Sequence, residues 1–98
     1  MEILNFRPVL GKGSLVAEFD LWIPRQKMTI FNFKVIRTKK GAFFAGRPSY
    51  MKDYGGAKKF FPYFSFEESL DKEFDRQVKE ALDPFLQIHS HELNMGAP

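Results

Sequence analysis

Residues 14–47, SLVAEFDLWIPRQKMTIFNFKVIRTKKGAFFAGR, decide the fold. Between Ser14 and Ile23, Leu15, Ala17, Phe19, Leu21 and Ile23 fall on one face of an extended chain, and Ser14, Glu18 and Asp20 on the other. A period of two with one apolar and one polar face is the pattern of a half-buried antiparallel strand. Pro24 ends it, because proline has no N–H to give to a central ladder. The next strand runs from Met28 to Arg37. Alternation places Phe31, Phe33 and Val35 on one face, and Met28, Ile30 and Ile36 on the other with Asn32 and Lys34. Both faces are partly apolar, so each calls for a cover. Trp22 lies on the more polar face of its strand, which favours an interface anchor over a core position. Thr38-Lys39-Lys40-Gly41 closes a hairpin into a strand over 42–47, and short strands joined by short turns make an antiparallel meander.

Outward from this stretch, Ile3 to Val9 reads as a further strand, with Pro8 at its edge or end. Gly11-Lys12-Gly13 is a turn signal. Residues 48–59, with Pro48, Gly55, Gly56, two Tyr and three Lys, read as a mobile basic loop. Phe60-Phe61-Pro62-Tyr63-Phe64 reads as a buried extended segment. The period then changes: Leu70, Phe74, Val78, Ala81, Leu82 and Phe85 recur at helical spacing with charges between them. Ser65-x-x-Glu68 has the form of a capping box, and Glu68/Lys72 and Asp75/Lys79 are i,i+4 pairs in the favourable order. An amphipathic helix of about four turns ending near Pro84 is expected. The pattern as a whole predicts one α+β domain over 1–98. An antiparallel meander of four to five strands over about 3–64 precedes a C-terminal helix over about 66–83 and a tail over 84–98, which frays or docks through Phe85, Leu86 and Ile88.

At 98 residues and 44% apolar composition, with twelve Phe, the chain is long enough for one core and too apolar to stay disordered. It has no Cys, which excludes disulfides, thiolate metal sites and Cys nucleophiles. No run of about 18 apolar residues marks a bilayer span, and no basic stretch precedes an apolar one near Met1, so a cytoplasmic protein is expected.

Charge is unevenly placed. Residues 1–24 carry a net −1 and residues 60–98 a net −5, while residues 25–59 carry ten basic side chains and only Asp53 against them. Such asymmetry points to a polyanionic partner. Lys39 and Lys40 sit at a hairpin, Arg47 follows the next strand, and Lys52, Lys58 and Lys59 share the Gly-bearing segment with Tyr50 and Tyr54. Lysines neutralise phosphates without reading sequence, and Tyr rings stack on bases. The simpler reading is a solvated lysine surface that blunts sheet edges.

Catalytic chemistry has little to stand on. His89 and His91, with Glu92, are the only imidazoles and could hold a metal, but solvated terminal histidines are the simpler reading. Glu67, Asp71 and Asp75 form an acidic row at i,i+4 that could coordinate a cation, against the simpler reading of solvated helix charges. Gly41–Gly46 lacks the Gly-Lys-Ser/Thr of a phosphate loop. Neither an enzyme nor a cofactor or metal is expected, and no small-molecule substrate is evident.

The run Phe33-Lys34-Val35-Ile36-Arg37, a polar turn ending in Gly41, Phe43-Phe44-Ala45, Pro48-Ser49 and then Phe61-Pro62 resembles the central signature of the SpoVG family of septation and sporulation regulators. The order of elements is similar over about residues 3–82 and the specific part covers about 33–62. The resemblance implies an antiparallel sheet with a C-terminal helix, a homodimer joined through the sheet, and binding of DNA, or of RNA in some members, in a bacterial regulatory role. Family members often carry small polar and basic residues at the start of the helix. This chain has Glu67, Glu68 and Asp71 there, so phosphate contact falls to Arg47, Lys52, Lys58 and Lys59, with Lys39 and Lys40 as auxiliaries and Tyr50 and Tyr54 for stacking. The alternative is a protein-interaction module that uses an exposed strand edge or its aromatic surface, with nucleic-acid binding lost.

Overall fold

The structure, a computed structural model, describes residues 1–10 and 13–95. It is α+β, with antiparallel strands followed by a C-terminal helix. β1 (Glu2–Pro8), β2 (Leu15–Ile23), β3 (Met28–Arg37) and β4 (Phe43–Gly46) form a meander in sequence order. β5 (Ser49–Tyr54) and β6 (Ala57–Pro62) pair with each other alone, and α1 (Glu68–Ile88) and the short α2 (Ser90–Met95) complete the described chain. The expected mobile loop over 48–59 is therefore a β-ribbon, and the strands among the described residues number six in two sheets. Of the Gly11–Gly13 turn, Gly11 and Lys12 lie outside the described residues, as does the end of the tail from residue 96. Among the described residues no helix is long and apolar enough to cross a membrane.

One face of the four-stranded sheet carries the core. Ala17, Phe19 and Leu21 of β2 and Phe33 and Val35 of β3 are essentially inaccessible, and Phe74, Val78 and Leu82 of α1 close over them. Fully burying side chains of this size contributes about 1.5–3 kcal/mol each. The simple alternation expected along β3 does not hold. Between the pairs Phe19↔Phe33 and Leu21↔Ile30, β3 spends one residue more than β2, and Asn32 takes φ +67°. This bulge brings Ile30 onto the core face with Phe33 and leaves Phe31 61% exposed on the other side. β1 does the same against the same point of β2: Leu4 pairs with Asp20 and Arg7 with Glu18, while Asn5 takes φ +53°. Ile3 and Phe6 thereby both join the core. Asparagine is one of the few residues that tolerates the left-handed region.

α1 begins later and ends later than the sequence pattern predicts. Its N-cap is Glu67, whose side chain makes no capping bond, so the Ser65–Glu68 box does not form. Asp71 supplies the reach-back instead, its Oδ1 accepting the Phe66 N–H at 2.8 Å. The helix passes through Pro84 to Ile88 because Phe85 and Leu86 still have a surface to dock on; the Phe85 ring packs, tilted, on Phe6 at 5.4 Å. Leu93 of α2 plugs the far end of the core. Leu70 is exposed rather than core-facing, and with Met28, Phe66 and Phe74 it lines a groove of about 350 Å³ between α1 and the β2–β3 turn.

Candidate nucleic-acid interface

The ribbon is built around Gly55-Gly56, whose φ values of +58° and +91° give the two-residue turn that matches the twist of paired strands. The Asp53 carboxylate accepts the Gly56 N–H at 2.9 Å and fixes the tip. Register pairs Tyr50 with Phe61, Lys52 with Lys59 and Tyr54 with Ala57 on one face, and Met51 with Phe60 and Asp53 with Lys58 on the other. Among the described residues the ribbon makes no substantial element–element contact beyond its own two strands. Both faces are thus open, and Phe60 and Tyr63 of the aromatic segment expected to be buried are 69% and 68% exposed.

The first face carries a continuous strip of rings. Tyr54 meets Phe61 at 6.0 Å, Phe61 stacks on Tyr50 at 5.9 Å, and Tyr50 meets Tyr63 at 5.2 Å. The Lys52 ammonium lies 5.7 Å from the Tyr50 ring. Lys52 and Lys59 stand directly opposite each other, and no carboxylate forms an ion pair with Lys52, Lys58 or Lys59 among the described residues. Like charges facing across a strand pair destabilise it. An anion laid along this face relieves that repulsion.

Arg47 belongs to a different structure. Its guanidinium hydrogen-bonds Asp71 at 2.8 Å and Asp75 at 2.9 Å, donates to the Phe64 and Asp71 carbonyls, and sits within 6 Å of the Phe64, Phe66 and Phe74 ring centres. The side chain is 11% exposed. Burial alone pulls its pKa down, but the bonds to Asp71 and Asp75 outweigh that and raise it. Asp71 is held below the usual carboxylate range, first by the Phe66 N–H and then by Arg47. Arg47 is therefore not free to hold phosphate. It locks the base of the ribbon to α1. Two of the acidic row, Asp71 and Asp75, are the partners of this cation while still partly solvated, Glu67 is exposed, and Asp75 faces Arg47 instead of the expected Lys79.

The other basic residues do not converge on the ribbon. Lys39 and Lys40 occupy the exposed β3–β4 turn, separated from the ribbon by the length of β4. Arg25 and Lys27 lie at the β2–β3 turn, at the other end of β3. Lys34 is on the outer sheet face opposite Glu18, and Arg37 bonds Asn94 of α2. Of the sequence candidates, the structure gathers Lys52, Lys59, Tyr50 and Tyr54 on one ribbon face and places Lys58 on the reverse. His89 packs on Phe6 at 4.8 Å with its Nδ1 3.1 Å from Glu92, and His91 is exposed on α2. Phe61 and Tyr63 join the site without having been expected there. Their signal was Gly-Gly between two alternating runs, which reads as a hairpin. Comparisons with protein-family models, curated proteins and solved structures find no match to this chain.

Proposed function

We propose that this protein is a nucleic-acid-binding module, regulatory and homodimeric as the SpoVG resemblance implies, that presents the β5–β6 ribbon to a polyphosphate backbone. The observation that carries the reading is the facing pair Lys52–Lys59, without an ion-pair partner among the described residues and set among Tyr50, Phe61 and Tyr54 on a ribbon that, beyond its base, makes no substantial contact with another described element. Cationic ammonium groups supply phosphate contact, and rings supply stacking; neither reads a sequence strongly. The function is binding rather than catalysis.

Fluorescence anisotropy with a labelled oligonucleotide at two salt concentrations tests this. With two to three lysines engaged, log affinity should fall against log salt with a slope of about −2. The double variant Lys52→Glu, Lys59→Glu should remove binding while leaving the circular dichroism spectrum unchanged. Absence of binding at micromolar protein in low salt, or binding indifferent to salt, overturns the reading.

A protein-interaction module is the second reading, and β4 favours it. β4 is an edge strand of the meander with one side unpaired among the described residues, and its own Phe44 is 50% exposed. An extended peptide can add to such an edge. Capture of a partner that persists after nuclease treatment and in the Lys52→Glu, Lys59→Glu variant would favour this reading.

A further inference from the structure

The ribbon's two faces and its composition say more than that it binds phosphate. A duplex hides the faces of its bases and shows only their edges, which proteins read with Arg or Lys on guanine, Asn or Gln on adenine, and acidic or hydroxyl side chains elsewhere. Residues 49–62, SYMKDYGGAKKFFP, contain no Arg, Asn or Gln, and their lysines serve phosphate as readily as a base edge. They contain rings. Tyr54 and Tyr63, 54% and 68% exposed, flank the stacked and half-buried pair Phe61–Tyr50 in one strip, with neighbouring centroids 5.2–6.0 Å apart. Lys52 and Lys59 stand in the middle of that strip, across the ribbon from each other. A ring face is of use only to a base whose own face is uncovered.

Building on the nucleic-acid reading above, we infer that the ribbon selects single-stranded nucleic acid over duplex. Unpaired bases stack on the exposed Tyr54 and Tyr63 rings, and the backbone between them passes Lys52 and Lys59. The Phe61–Tyr50 pair is the floor that holds the two outer rings in place. Because every base has a π-face, recognition of this kind tolerates sequence. Phe60 and Met51 on the reverse face take no part in it.

The test compares an oligothymidylate of about 12 nucleotides with a duplex of the same length, in low salt, with the full chain. The single strand is expected to bind at least about tenfold more tightly. Tyr54→Ala with Tyr63→Ala should weaken single-strand binding by about tenfold per ring and leave duplex binding unchanged. Tyr54→Phe with Tyr63→Phe keeps both rings and should keep the affinity, which separates stacking from any role of the hydroxyls. Both tyrosines are exposed, and an unchanged circular dichroism spectrum establishes that the variants fold. Duplex bound as tightly as single strand, or alanine substitutions that weaken both ligands equally, overturns this inference and leaves the nucleic-acid reading standing. If neither ligand binds, both fall together.

Discussion

Asp20 sits where alternation along β2 turns a side chain away from the core, yet it is 5% exposed. The two bulges bury it. Asn5 donates to one carboxylate oxygen at 3.0 Å, the Asn32 backbone N–H to the other at 3.1 Å, and Arg7 closes the group from outside, bonding the Asn5 carbonyl and the Asn32 side chain. One carboxylate thus anchors a left-handed residue in each neighbouring strand. Asp20→Ala leaves the part-buried Asn32 N–H and the Asn5 amide without their acceptor and Arg7 without its carboxylate, so it should destabilise the protein by about 1–3 kcal/mol, read as a lower urea midpoint at constant slope. Burial opposes the ionised form of Asp20, but Asn5, Asn32 and Arg7 together hold its pKa below the ordinary value of 3.8. A depressed carboxylate contributes stability that is complete above its unfolded value and drains as pH falls through the folded one. Urea midpoints should therefore drop as pH goes below 3.8, and Asp20→Ala should show a shallower acid limb than the parent chain.

α1 carries a proline seventeen residues into its span, where it has no N–H for the Glu80 carbonyl and its ring crowds that turn. Docking of Phe85 and Leu86 keeps the last turn helical against this penalty. Pro84→Ala should raise stability by about 1–3 kcal/mol, measured by urea denaturation, and an unchanged or lower midpoint would show that the proline is relieved locally. At the ribbon base, Arg47→Gln removes the cation shared by Asp71 and Asp75 and should lower the urea midpoint, together with faster amide exchange in β5 and β6. These two elements also show what a sequence gives away. The helix was legible because Phe74, Val78 and Leu82 recur every four residues, close to one helical turn, on a buried face, and a period survives small errors. Its end was misplaced because Pro84 is a local signal and the docking of Phe85 on Phe6 is not. The core alternation of β2 was legible, but the bulges at Asn5 and Asn32 were not, since each depends on Asp20 from another strand. The sequence of 48–59 reads as a loop because the ribbon packs so little against the core that its lysines and glycines outweigh its apolar residues. For the same reason the candidate site was half legible: the lysines and tyrosines could be named, but not that Arg47, equally basic, is spent on Asp71 and Asp75.

At the scale of the molecule, helices cover one face of the meander, and no described element packs on the other. Cross-strand pairing puts Trp22, Lys34, Ile36 and Phe44 on that outer face, and the β3 bulge turns Phe31 onto it. A sheet that exposes Phe31 and Phe44 at 61% and 50% presents apolar surface of the kind that marks an interaction site. The homodimer proposed above would close this face against its copy. A two-fold contact meets itself, so one substitution acts twice. Light scattering at micromolar concentration should report about twice the 11.4 kDa of one chain, and Phe31→Glu should return the mass to that of a single chain without loss of helix signal. A mass of one chain for the parent protein removes the dimer. The dimer also makes a prediction about binding that the monomer does not. Two ribbons on one particle engage a long strand together, and the second engagement is intramolecular. Phe31→Glu should therefore weaken binding to an oligonucleotide long enough to span both ribbons by about tenfold or more, while an oligonucleotide that fills only one ribbon binds the variant and the parent alike. Equal weakening on both lengths would place Phe31 in the ribbon's own stability, and no weakening on either would mean that the two ribbons act alone.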